Sequence, residues 1–210
     1  MRMTVFGGTG PTGLLLINQA LAEGHEVVAY ARTPAKLPIR QGLTAVQGEL
    51  DNAEAIAEAV RGSDVVLSLL GPGTKKADVP PLITGCRNIV SGMRKHGVER
   101  LVAMGTPSIT DPADGTDMRI GLMVAGIRTL QPAAYDAIVT NGQIVRESGL
   151  KWTIVRFPFL TNGPRTASIN VRNVGGKGGL RLSRTNAAAY FLQQATDPSQ
   201  VGRAPIISDK

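Results

Sequence analysis

Apolar residues along this chain come in two alternating textures. Short blocks rich in Val, Ile, Leu and Ala read as buried strands, and between them apolar positions recur at three- and four-residue spacing, as on one face of a helix. Met3–Phe6 is the first strand. A glycine turn follows, then Leu14, Leu15, Ile17, Ala20 and Leu21 at helical spacing, with Gly24 where a helix end favours glycine. Glu26–Ala31 and Leu43–Gln47 are the next two strands. Asp51 reads as an N-cap with Glu54 its reciprocal partner, Ile56, Ala59 and Val60 form the apolar face, and Gly62 is the stop.

The second half repeats the alternation. Asp64–Leu70 is nearly all apolar, as a central parallel strand covered on both faces should be. Pro80-Pro81 opens a helix whose stripe is Leu82, Ile83, Cys86, Ile89, Val90 and Met93. Arg94, Lys95 and His96 oppose its dipole before Gly97. Arg100–Met104 is strand five, Pro132 to Ser148 a helix closed by Gly149, and Trp152–Arg156 strand six. The last fifty residues read as a hairpin around Gly175–Gly179, a helix near Asn186–Ala195 and a terminal strand. Thr106 to Gln131 fits least well, and reads equally as a lid-like substrate loop or a packed helix. The fold class expected is α/β: a Rossmann-like, doubly wound parallel sheet with a small C-terminal substrate-side extension, in one domain over residues 1–210.

The glycines sharpen this picture. Gly8-Thr9-Gly10-Pro11-Thr12-Gly13 matches G-x-G-x-x-G, with Gly7 just ahead, and it lies between a strand and a helix at the start of a βαβ unit. One glycine permits the tight turn, one admits a pyrophosphate, and Gly13 lets helix and strand pack closely. A Walker-type loop is disfavoured because no G-K-[ST] follows. Strand two ends Tyr30-Ala31-Arg32-Thr33, with Lys36 one turn on and no acid at its tip. Arg suits a 2′-phosphate where Asp or Glu suits a free ribose, so NADPH is expected over NADH. Glu49 and Leu50 after strand three, and Leu70, Gly71, Pro72 and Gly73 after strand four, are expected to line the same cofactor.

Composition removes several classes. Charged residues are 19% and hydrophobic residues 42%, ordinary for a globular chain. Aromatics at 4% are too few for single-strand stacking platforms, and the net charge of +7 comes from dispersed basic residues, so nucleic acid is not an expected partner. The lone Cys86 excludes an internal disulfide and a cysteine-cluster zinc site, and no metal is expected. No signal-peptide core or run of 18 apolar residues is present, so the expectation is a cytoplasmic protein with no membrane partner, a monomer or homodimer. His25 and His96 have no partners suggesting metal or triad chemistry, and Lys75-Lys76 reads as a solvated pair. Gly-x-Ser-x-Gly is absent, which removes an esterase elbow.

The glycine loop, the Tyr30-Ala31-Arg32 strand end and the run Arg146-Glu147-Ser148-Gly149-Leu150-Lys151-Trp152-Thr153-Ile154-Val155-Arg156-Phe157-Pro158 resemble the atypical short-chain dehydrogenase/reductases. Asn88-Ile89-Val90, Lys95-His96-Gly97-Val98 and Ser183-Arg184 add to the likeness. The nearest group is the NAD(P)H-binding proteins similar to biliverdin reductase B/flavin reductase, within the NmrA-like superfamily. The resemblance implies hydride transfer from nicotinamide C4 to a flavin, linear tetrapyrrole, quinone or related acceptor. It also places Thr106 where the superfamily has a catalytic hydroxyl.

Classical members use Tyr-x-x-x-Lys, the lysine lowering the tyrosine pKa. Here Tyr135 is followed four residues on by Val139, and position 143, where many relatives carry Lys, is Gln143. A flavin or other conjugated acceptor tolerates that loss best, since its proton can come from solvent. Phe157, Pro158 and Phe159 are expected to wall the nicotinamide. Ser108, Met118, Met123 and Phe159 are candidate substrate contacts, with Tyr135 beside them. The alternative function is a catalytically weak NADP(H)-sensing regulatory protein of the NmrA-like type.

Overall fold

The computed structural model describes residues 1–72 and 79–210. Strand β1 (Arg2–Phe6) is buried from Met3 onward and pairs in parallel with β2 (Glu26–Ala31) on one side and β4 (Val65–Ser68) on the other. Adding β3 (Leu43–Gln47), β5 (Arg100–Gly105), β6 (Lys151–Arg156), β10 (Ile206–Asp209) and β8 (Ile169–Arg172) gives one eight-stranded sheet in the order β3-β2-β1-β4-β5-β6-β10-β8. It is parallel except for β8, which runs antiparallel to β10. Chain order reverses between β1 and β4, the switch point at which such sheets bind ligands.

Alternation along the strands fixes two cores. Met3, Val5, Val27, Ala29, Leu67, Val102 and Val155 face α1 (Pro11–Ala22) and α6 (Arg184–Gln193). Phe6, Val28, Tyr30, Val66, Leu101 and Ile154 point the other way, against α2 (Ala53–Val60), α3 (Val79–Lys95) and α5 (Pro132–Arg146). Neighbours in sequence thus serve opposite faces, the period of two that a strand imposes. The expected doubly wound architecture is present.

Details differ from the expectations at several places. The α2 cap is Asn52, whose side chain accepts from the Ala55 N–H, and not Asp51. Asn52 is one residue closer to the helix, where its oxygen meets the free N–H groups. β4 stops at Ser68 because its neighbour β1 ends at Phe6. The ambiguous stretch resolves into a loop and then a helix, α4 (Met118–Leu130), capped by Asp117 and packed on α5. No hairpin forms around Gly175–Gly179: β8 pairs with β10, while β9 (Arg181–Ser183) pairs in parallel with β7 (Phe159–Thr161) in a separate two-stranded sheet. Glycines favour a turn there, but long-range pairing chooses each strand's partner. Among the described residues no helix is long and apolar enough to cross a membrane.

One buried ion pair ties the loops to the sheet. Arg156, at the carboxyl end of β6, is fully buried, and its guanidinium grips Asp114 through two nitrogens at 2.6 and 2.8 Å. It also donates to the Ile109 carbonyl at 2.9 Å. Asp114 in turn accepts from the Val174 and Asp111 N–H groups, and Asp111 accepts from the Ala204 N–H. Burial disfavours the charged Asp114 carboxylate, yet the Arg156 hydrogen bond, the two N–H donors and the guanidinium charge outweigh it and hold its pKa below the ordinary value. A carboxyl depressed in the folded state stabilises fully above its unfolded pKa, near 3.9, and loses that contribution as pH falls through the lower folded value.

Asp114→Ala should therefore cost about 3–5 kcal/mol in urea unfolding at neutral pH, because it strands a buried guanidinium. The Asp114→Asn variant should also lose part of the wild-type drop in stability below about pH 4; a cost under about 1 kcal/mol would show that the loops hold without the pair.

Candidate functional site

The carboxyl ends of β1 to β4 open onto a cleft of about 270 Å³, lined by Gly7, Thr9, Tyr30, Ala31, Arg32, Gly48, Glu49, Leu50, Leu70, Gly71, Pro81 and Leu82. The turn after β1 explains its shape. Gly7 has φ +77°, and a Cβ there would sit 2.7 Å from the Leu69 carbonyl oxygen. Its own carbonyl accepts from the Gly10 N–H at 3.1 Å. A Cβ on Gly13 would fall 2.3 Å from that same Gly7 oxygen, so α1 presses directly on the turn. Gly10 differs: its Cβ would meet only the Gly7 oxygen, at 3.4 Å. Gly10 is also the α1 N-cap, with no side-chain cap, Pro11 in the first turn and no acid there. The helix's first N–H groups and its positive end are thus available to an anion.

The opposite wall depends on Tyr30, which the sequence reading passed over as a site residue. Its ring packs on Phe6 at 5.4 Å and its hydroxyl donates to the Glu49 carbonyl at 2.8 Å. A Cβ on Gly48 would lie 2.1 Å from that hydroxyl oxygen, so only glycine lets β3 close over the ring. Burial, with the nearby charges of Glu49 and Asp51, raises the Tyr30 pKa and keeps the phenol protonated. Tyr30 stands opposite Val46 in the β2–β3 pairing, and the glycine just past the end of β3, Gly48, within reach of a large ring at the end of β2, is the signal that points to this wall.

Of the expected cofactor residues, Gly7, Thr9, Arg32, Glu49, Leu50, Leu70 and Gly71 line this one cleft. Arg32 is exposed at its rim and makes no ion pair among the described residues. Gly8, Gly10, Pro11, Thr12 and Gly13 build the turn and helix start beneath it. Lys36 ends a single 3-10 turn, Pro34–Lys36, and is exposed outside the lining; Pro72 adjoins Gly71. Gly73, Lys75 and Lys76 lie outside the described residues.

The substrate-side candidates are more scattered. Thr106 follows β5 directly and is half-buried, and its hydroxyl accepts from the Ser108 N–H at 3.3 Å, a turn-stabilising bond. Ser108 is 5% exposed and its hydroxyl has no partner; the Asn141 side-chain oxygen on α5 is likewise buried and unpaired. Phe157 turns into the core against Phe191, ring centroids 5.8 Å apart, so its side chain is no cofactor wall. Alternation explains this, since Val155 two residues before faces the same core. Pro158 is half-buried and Phe159 is 53% exposed. Tyr135 and Met123 are half-buried, while Met118 is 79% exposed at the start of α4. Cys86 is buried enough that its thiol is pushed up to about 12, only weakly opposed by Arg87. Among the described residues, no three metal-ligating side chains converge.

Residues 7–198 match the family model described as NAD(P)H-binding. The chain belongs to the NAD(P)H-binding family. It is 28% identical over 198 residues to the 3-beta-hydroxysteroid dehydrogenase of Mycolicibacterium neoaurum, a match covering 87% of this chain and 50% of that one. The chain spans about half the length, or less, of the first curated relatives it matches. Among solved structures, the anaerobillin reductase ChuY of Escherichia coli superposes with TM-score 0.81 at 18% identity, covering 100% of this chain and 97% of that one. A short-chain dehydrogenase/reductase of Veillonella parvula, solved in complex with NADP, gives 0.78 at 17% identity over 99% and 94%. These two likenesses establish the fold.

The cleft fits the phosphate and adenosine half of a dinucleotide for an NAD(P)H-binding chain: an uncapped helix start, a backbone turn no side chain obstructs, and a cation at the rim. Gly13→Ala should disrupt the turn itself, lowering the thermal midpoint and cofactor affinity together. Gly10→Ala should leave the midpoint nearly unchanged and still weaken NADPH at least tenfold in a fluorescence titration. Equal effects of the two on stability would contradict the packing difference. Cys86 should react with iodoacetamide much more slowly than a free thiol at neutral pH, since burial keeps it protonated; labelling of the folded protein at the rate of a free thiol would contradict that.

Proposed function

We propose that this chain is an NADPH-dependent reductase that delivers hydride to a flavin or another conjugated small molecule. The observation that carries the reading is Arg32, an unpaired guanidinium at the rim of the glycine-turn cleft, on a strand end that has no carboxylate to hold a free ribose. A planar fork of this kind suits a phosphate, and a carboxylate at the same place would repel one. The reduced nicotinamide, when bound, supplies the hydride from its C4 carbon.

On this reading the chain's own residues chiefly bind and orient. The α1 N-terminus and the Gly7–Gly13 turn hold the pyrophosphate, Arg32 with Lys36 holds the 2′-phosphate, and Glu49, Leu50, Leu70, Gly71 and Pro72 flank the adenosine and riboses. Thr106, Pro158 and Phe159 adjoin the nicotinamide end, with the Thr106 hydroxyl as the nearest candidate for a carboxamide or acceptor contact. Tyr135 has no lysine four residues on, so a carbonyl acceptor lacks its usual proton donor here. An acceptor whose reduced form takes its proton from water needs only the two rings brought together. A second reading, an NADP(H)-sensing regulatory protein, draws support from α4, where Met118, Leu122 and Leu130 are 79%, 76% and 82% exposed.

NADPH oxidation measured against FMN, FAD, quinone and linear tetrapyrrole panels separates the two. Turnover with at least one acceptor is expected; tight NADPH binding without any turnover would overturn the reductase reading and favour the sensor. Arg32→Glu should weaken NADPH by 100-fold or more, equivalent to about 2.7 kcal/mol, and leave NADH within a few-fold. Equal losses for both cofactors would remove the 2′-phosphate assignment.

A further inference from the structure

The cleft wall formed by Glu49 and Leu50 is held from behind. Both residues follow β3 and line the cleft, and both of their carbonyl oxygens are taken by side chains of the protein. Tyr30 on β2 donates to the Glu49 carbonyl at 2.8 Å, and Asn88 on α3 donates to the Leu50 carbonyl at 2.9 Å. Only the amide nitrogen of Asn88 can donate, so its side chain has one orientation there. Asn88 is half-buried and stands outside the cleft lining.

Helix α3 is shaped to deliver that amide. One turn before Asn88, a Cβ on Gly85 would lie 2.9 Å from both Cβ and Cδ2 of Leu50. One turn after it, a Cβ on Gly92 would lie 2.9 Å from the Cα of Ala57 on α2. Positions 85, 88 and 92 share one face of a helix, so α3 presses that face on the Leu50 loop and on α2 together. The start of the same helix brings Pro81 and Leu82 to the cleft.

A trans peptide is planar, with its N–H opposite its carbonyl. Tying down the Glu49 carbonyl therefore fixes the Leu50 N–H, and tying down the Leu50 carbonyl fixes the Asp51 N–H. Neither N–H donates to a backbone acceptor among the described residues. The wall thus has N–H donors and the Glu49 carboxylate to offer a ligand, while its two carbonyls are occupied. Adenine pairs a ring-nitrogen acceptor with an amino donor and matches that set. Hypoxanthine presents an N–H and a carbonyl in the same two places and reverses it, and such a reversal leaves polar groups unpaired.

We propose that Asn88 is a positioning residue for the base of the cofactor: without touching the base, it fixes the Leu50 peptide and so, with Tyr30, sets the donor pattern that selects adenine. The inference rests on the cleft as the seat of the cofactor's adenosine half and is independent of which acceptor receives the hydride.

Fluorescence titration of NADPH and of reduced nicotinamide hypoxanthine dinucleotide phosphate tests it. Wild type should bind NADPH at least about tenfold more tightly than the hypoxanthine analogue. Asn88→Leu, which keeps the volume and removes the donor, should weaken NADPH about tenfold and bring the ratio to within about threefold. Adenosine 2′,5′-bisphosphate, which has no nicotinamide, should lose as much affinity as NADPH does. Gly85→Ala should lower the ratio with the amide intact, because its methyl meets the root of the Leu50 side chain and moves α3 away. Asn88→Gln, with a donor on a longer stem, should restore part of the ratio. Asn88→Ser, too short to reach the carbonyl, carries the same prediction as Asn88→Leu where the leucine does not fold.

Parallel losses for NADPH and the analogue, tracking a lowered thermal midpoint, would show that Asn88 serves only the fold and would overturn the proposal. Equal binding of the two by wild type would overturn it as well, as would a ratio that survives both a substitution at Asn88 and Gly85→Ala. NADPH affinity that is untouched by Gly10→Ala would instead overturn the cleft as the cofactor site, and the proposal with it.

Discussion

Arg156 and Asp114 hold the substrate half of this molecule together. A guanidinium without any exposed surface at the end of a hydrophobic strand is costly unless its charge is matched and most of its donors are occupied. Asp114 matches the charge, and Asp114 with the Ile109 carbonyl takes both terminal nitrogens, leaving only Nε without an acceptor among the described residues. The same carboxylate accepts from Val174, sixty residues along the chain, so the pair is the junction between the loop after β5 and the loop after β8. Removing either partner leaves the other buried and unpaired, and the penalty then falls on two loops at once. The cofactor half has no such dependence. Its turn is held locally, by close packing of Gly7 against Leu69 and Gly13 against Gly7 and by the Gly10 N–H on the Gly7 carbonyl, with no buried charge.

This difference explains what the sequence could disclose. Periodicity marked β2, β5 and β6 almost to the residue because each is a continuous apolar run covered on both faces, while β3, an exposed edge strand, was marked by the glycines that bracket it, Gly42 and Gly48. The glycine turn was legible for the same local reason: its spacing, its preceding strand and its following helix all lie within a few residues. The residues of that turn, Arg32, Glu49, Leu50 and Leu70 were expected as neighbours, and the fold brings several of them to one cleft through the register of parallel strands.

The remainder was not legible because it depends on partners far away in sequence. Nothing local tells β8 to pair with β10 across thirty-five or so residues, so a glycine-rich stretch between two strands read as a hairpin. Nothing near Phe157 announces Phe191 as its neighbour, so a phenylalanine next to a functional strand end read as a ligand wall. Arg156 was visible as part of a family-like motif, yet its role appears only when Asp114 folds over it. An arginine ending an apolar strand, with acidic residues in the preceding loop, is the pattern that would have exposed it.

The two halves also divide the +7 charge in an instructive way. Many basic residues are spent: Arg61 on Glu58, Arg94 on the α5 carbonyl end, Arg100 on Gln194, Lys151 on Glu99, Arg119 and Arg156 on aspartates. Arg32, just after β2, is exposed at the carboxyl edge of the sheet and makes no ion pair among the described residues. Arg94 and Arg100 are satisfied by carbonyl oxygens alone, so a guanidinium without a carboxylate is not by itself the mark of a ligand; Arg32 differs in lining the glycine-turn cleft with no acceptor among the described residues. On the proposed reading the 2′-phosphate of the cofactor supplies the acceptor that Arg32 lacks, at the strand end where no carboxylate would repel it.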